Sequence, residues 1–77
     1  MNTLPLHYKA HTIVPIASWL PTGYAASVFI TEPGGKQRAF GVLGYFASEI
    51  VACEFAVSYA KAHIDGTTLP KLPFVPT

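Results

Sequence analysis

The sequence predicts an α+β domain, a three-stranded antiparallel meander sheet packed against one C-terminal helix (βββα), and three observations carry that expectation. Residues 48–66 (SEIVACEFAVSYAKAHIDG) show helical periodicity with a marked start and stop. Residues 8–43 hold three runs rich in β-branched and aromatic side chains. Turns containing Pro and Gly separate those runs, and connections so short join antiparallel neighbours. With strands first and helix last, the helix must cross one face of the sheet for either to be buried.

Residues 1–7 contain Pro5 and no periodicity, and read as a loose lead-in to a single domain over residues 8–66. Tyr8 to Ser18 (YKAHTIVPIAS) is the first expected strand. Pro15 inside it cannot donate to a ladder, which places this strand at an edge or puts a bulge at Pro15. Trp19 to Gly23 form a turn, with glycine where φ is free to be positive. Tyr24 to Thr31 is the second strand, with Ala26, Val28 and Ile30 on the helix side and Ala25, Ser27, Phe29 and Thr31 on the other. Glu32-Pro33-Gly34-Gly35 suits a type II turn with Pro33 and Gly34 at its centre. Lys36 to Leu43 is the third strand, with Phe40 and Val42 toward the helix, and Gly44, Tyr45 and Phe46 break it.

Ser48 is a good helix N-cap, Glu49 faces the positive end of the dipole, and Lys61 and His63 sit in the last turn. Gly66 supplies the left-handed stop. Ala52, Phe55, Ala56, Tyr59, Ala60 and His63 share one face, the core face. A second apolar stripe, Ile50, Cys53, Val57 and Ile64, is turned away from it, and a helix apolar over most of its circumference is buried on more than one side. After Gly66, residues 67–77 (TTLPKLPFVPT) carry Pro70, Pro73 and Pro76 at threefold spacing and read as an extended, polyproline-like tail.

Composition limits function. Of 77 residues, 51% are apolar and 12% charged, against about 25% charged in an ordinary soluble domain. A chain this short has a marginal core alone, and sparse surface charge favours covering part of the surface with another copy. The net charge of +1 gives no basic excess for nucleic acid. One cysteine, Cys53, excludes an internal disulfide, and the first residues lack a secretory pattern, so the cytoplasm is the expected compartment. The helix carries Glu49, Glu54 and Lys61 and falls short of the roughly 20 apolar residues of a membrane span.

The stretch YKAHTIVP, the strand AASVFIT, the Pro-Gly-Gly turn, Phe40 and the helix FASEIVACEFAVSYAKAHIDG together resemble a family of small uncharacterised proteobacterial proteins. Members share three strands followed by one helix, with patterns close to Y-K-x-H-x-I and F-x-[ST]-E. The resemblance covers about residues 8–66 and implies the fold, a bacterial source and no catalytic residues. The helix departs from it at Ile50, Val51 and Cys53, where the family's outer face is more charged, and this argues against a monomer.

No catalytic, metal or cofactor site is expected. Cys53 and His63 lie roughly 15 Å apart along the helix and point about 80° apart, beyond the reach of a Cys-His pair. His7, His11 and His63 lack the acid or cysteine partners of a coordination shell. Glu49 and Glu54 are about 140° apart around the helix and form no carboxylate pair. Pro33-Gly34-Gly35-Lys36 lacks phosphate-loop spacing and precedes a strand. The expected function is therefore protein contact through self-association as a homodimer, with Ile50, Cys53, Val57, Ile64 and Phe29 as interface residues and Trp19 as an addition. The tail reads as an extended segment that lies on its own domain or stays flexible, with a docking peptide for a protein partner as the alternative. The alternative is a small nucleic-acid-binding module using Lys9, Lys36 and Arg38, with Phe29 for base stacking.

Overall fold

The computed structural model describes residues 5–66. The proline-rich tail and its expected docking role lie outside the described residues. The order of elements is β1 (Leu6–Tyr8), β2 (His11–Leu20), β3 (Gly23–Thr31), β4 (Gln37–Phe46) and α1 (Glu49–Asp65). The sheet is antiparallel with strand order β1-β2-β3-β4. The expected class is right, but the sheet has four strands and not three, and the lead-in ends in a strand. What was read as one long first strand contains a hairpin turn at Lys9 and Ala10, whose φ angles of 49° and 66° are both left-handed. Two positive φ angles in a two-residue loop make the tight hairpin that returns β1 onto β2, pairing Tyr8 with His11 and Leu6 with Ile13.

That turn stores strain, because an L residue in the left-handed region costs about 1 kcal/mol or more. Ala10→Gly is therefore expected to raise stability by about 0.5–1 kcal/mol. A urea midpoint no higher than that of the parent would show that the turn is not strained.

Two-residue hairpins close on a hydrogen-bonded pair, so odd-numbered residues of β2 aim their backbone groups at β1. Pro15 is odd-numbered and lies past Ile13, where β1 ends among the described residues. Its missing N–H thus points away from β3 and leaves the β2–β3 ladder whole, although β2 is an inner strand of the sheet and not the edge strand expected.

The Glu32–Gly35 turn is where it was expected, closed by Gly35 N–H donating to the Glu32 carbonyl at 2.8 Å. Its type differs. The positive φ, 94°, falls on Gly35 and not on Gly34, which fits a type I turn followed by a left-handed glycine. β4 then runs to Phe46, so Gly44 and Tyr45 lie within the strand and do not break it. Between the pairs Val28–Phe40 and Ala26–Gly44, β3 advances two residues (28 − 26) and β4 four (44 − 40). An even number of extra residues keeps Phe40, Gly44 and Phe46 on one face but throws Val42 out of the ladder, where it is 58% exposed and does not meet the helix.

The helix begins and ends as its residues dictate. Ser48 accepts from Val51 N–H, and Gly66, at φ 72°, donates to the carbonyls of Ala62 and His63. Ala52, Ala56 and Ala60 form a fully buried line one turn apart against Ile13, Val28 and Ile30, also buried. Methyl-sized side chains let α1 lie close to β2 and β3. Larger rings flank the line toward β4, where Phe55 meets Phe46 at 5.1 Å and Tyr59 and His63 meet Phe40 at 5.7 and 4.9 Å between centroids.

Candidate functional site

The molecule presents three distinct surfaces, and register decides what stands on each. Ile13, Pro15 and Ala17 of β2 and Ala26, Val28 and Ile30 of β3 all face α1. The intervening residues therefore stand on the opposite, outer face. One row pairs Val14 with Phe29 and Phe29 with Ala39, next to the central pair of Ile16 opposite Ser27. A further row is Ser18, Ala25 and Tyr45, and the row at the hairpin end is His7, Thr12, Thr31 and Gln37. No Asp, Glu, Lys or Arg stands among these rows. One-sided antiparallel sheets ordinarily turn an alternating polar set to water. Here Phe29 is 38% exposed and Tyr45 67% exposed on a face whose only polar groups are neutral.

The second surface is the outer side of α1. The sequence grouped Ile50, Cys53, Val57 and Ile64 with Phe29, and the structure separates them. Cys53 and Ile64 pack partly against the chain's own core, and Val57 is half-buried. Ile50 remains 68% exposed, with Val51 beside it in the first turn. Phe29 lies on the far side of the sheet from all four. Trp19, at the distal end of β2, is 70% exposed. Cys53, Val57, Glu54 and Ser58 line an apolar groove of about 480 Å³ whose other wall is Pro15, alongside the open edge of β2.

The third surface gathers the charge. The β1–β2 and β3–β4 hairpin tips and the C-terminal end of α1 share one end of the sheet. Asp65 accepts from Lys9 at 2.5 Å and from the Tyr8 hydroxyl at 2.7 Å, while Arg38 donates to Glu32 at 2.6 Å. The ammoniums of Lys9 and Lys61 lie 5.5 and 5.2 Å from the Tyr8 ring centroid. The bonds from Lys9 and then Tyr8 hold the Asp65 carboxyl below the usual carboxylate range, and Asp65 in turn raises Lys9 and Tyr8. The guanidinium of Arg38 lowers Glu32. Two of the three cations proposed to contact nucleic acid, Lys9 and Arg38, are thus held by carboxylates of the same chain.

These pairs give acid stability a definite sign. Asp65 and Glu32 are depressed in the fold, so their contribution is complete above about pH 4 and is lost as pH falls through the folded values. Lys9 is raised, so its contribution is complete below about pH 10 and is lost as pH rises through its folded value. Asp65→Asn is expected to make the acid limb of a stability–pH curve shallower, with Glu32 supplying the remainder. Superimposable acid limbs for the two proteins would contradict the pairing.

His11 and His63, placed at the margins of sheet and helix by the sequence, line one cavity of about 250 Å³ with Glu32, Arg38, Ile30 and Ile64. No sequence signal announced that meeting, because the two histidines are far apart in the chain and each looks ordinary in its own element. Among the described residues, no group of three or more His, Cys, Asp or Glu is placed to hold a metal, and no polar or charged side chain is buried. Nor is any described helix long and apolar enough to cross a membrane. Comparison with family models, curated proteins and solved structures finds no match.

Proposed function

We propose that this chain is a small non-catalytic protein that acts through protein contact and associates with itself. The observation that carries this reading is the set of large apolar side chains left on the surface of a chain poor in charge. Trp19, Tyr45, Ile50, Val51 and Phe29 all stand exposed or nearly so, although among the described residues only three large side chains, Ile13, Val28 and Ile30, fall below 2% exposure. Isolated exposed apolar residues are unremarkable, whereas contiguous apolar patches mark contact sites. Phe29 with Val14 and Ala39, and Ile50 with Val51, are patches of that kind. Sedimentation velocity across a micromolar concentration series tests the reading. A sedimentation coefficient that rises with concentration toward that of a dimer is expected, and a strict monomer at high micromolar concentration would overturn it.

A further inference from the structure

Resting on that reading, we propose that the charge-free outer face of the sheet is where a second copy of this chain docks, sheet against sheet about a two-fold axis lying across the strands. In a two-fold contact the same patch meets itself, so any charge on the patch is brought near its own copy. The outer face satisfies this condition, since register places no Asp, Glu, Lys or Arg on it. The helix surface does not, because Glu54 stands beside the groove and Glu49 beside Ile50. The open edge of β2 is also a poor template, because Pro15 removes a donor from it.

β2, β3 and β4 have nine or ten residues and β1 three, and at a rise of about 3.3 Å and a strand spacing of about 4.8 Å they make a face of roughly 500 Å². Two such faces bury roughly 1,000 Å² together, the size of a weak, reversible association. Phe29 sits on an inner strand toward the hairpin end of the patch, flanked by Val14 and Ala39, and is a large aromatic side chain left on that face.

Charge elsewhere on the molecule selects the orientation. The hairpin end carries Lys9, Lys36, Arg38 and Lys61 against Glu32 and Asp65, a net of +2 (4 − 2). The N-terminal half of α1, toward the other end, carries Glu49 and Glu54, a net of −2. With the two-fold axis across the strands, the basic end of each copy lies over the acidic end of its partner. An axis along the strands would place like ends together, which costs association rate and affinity.

Sedimentation equilibrium on the full chain, with Phe29→Lys, Val14→Lys and the helix-side control Val57→Glu, tests this. Circular dichroism is read alongside, so that only folded variants count. The parent and Val57→Glu are expected to dimerise alike, while Phe29→Lys and Val14→Lys each weaken association at least about tenfold. A parent that dimerises together with undiminished dimerisation of both lysine variants, or with loss of dimerisation in Val57→Glu alone, would overturn the sheet-face proposal and leave self-association standing. A monomeric parent would overturn both.

Discussion

Gly23→Ala is expected to destabilise the fold by at least about 3 kcal/mol, a large share of the roughly 4–12 kcal/mol that a 77-residue chain commands. Gly23 opens β3 with φ at 147°, a region that L side chains rarely adopt. A Cβ there would stand 2.5 Å from the carbonyl oxygen of Phe46, so backbone and not a flexible side chain would have to move. Phe46 is the last residue of β4 and the lead into the Ser48 cap, and displacing it pulls on the helix as well as the sheet. Gly34→Ala is the internal control, because a Cβ at Gly34 meets nothing within 4 Å and its φ is not positive. A urea series should show a sharp loss for Gly23→Ala and little change for Gly34→Ala. Equal midpoints for the two would show that the close approach of Gly23 to Phe46 is not what the fold depends on.

Ala56→Leu should cost about 1–3 kcal/mol by overpacking, which corresponds to a fall in melting temperature of about 4–8 °C per kcal/mol for a domain of this size. Ala56 is the middle of the fully buried alanine line, so added methylenes have no free volume to enter. The alternative response, a helix lifted off the sheet, exposes Ile13 and Val28 and leads to the same loss. Thermal unfolding checks the expectation. A Leu at this position that melted with the parent would mean that α1 stands farther from the sheet than the alanine line implies.

Local chemistry made the helix legible. Ser48, Glu49 and Gly66 state its ends in residue types, and the structure begins and ends α1 within a residue of them. The faces of β3 were equally legible from Ala26 to Ile30, where buried and less buried residues alternate and no knowledge of partners is needed. β1 was hidden for a physical reason. Its turn is built from Lys9 and Ala10, where a left-handed hairpin ordinarily announces itself with Asn and Gly. The contacts that hold this turn, from Tyr8 and Lys9 to Asp65, join residues more than fifty positions apart in sequence. The bulge in β4 was hidden as well, because Gly41 read as an ordinary strand position and Gly44 as the break of a strand that in fact continues to Phe46.

The interface set was only partly readable for the same reason. Periodicity alone separates a helix stripe from a core face, but it cannot see that β2 and the sheet margin already take up Cys53 and Ile64. Phe29 was recognised as outward-facing. Its neighbours Val14 and Ala39, and Tyr45 farther along the same face, became one surface only when the register of three strands was known. A charge-free face is a property of pairing, and no single strand displays it.

The most direct measurement of the central claim is an isotope-filtered NOE spectrum on a mixture of labelled and unlabelled chains at a concentration where dimer dominates. The account predicts contacts between chains confined to the outer sheet face, with the Phe29 ring of one copy meeting Ala25 and Tyr45 of the other. Contacts between chains confined to Ile50, Val51 and Val57 on the helix would contradict it.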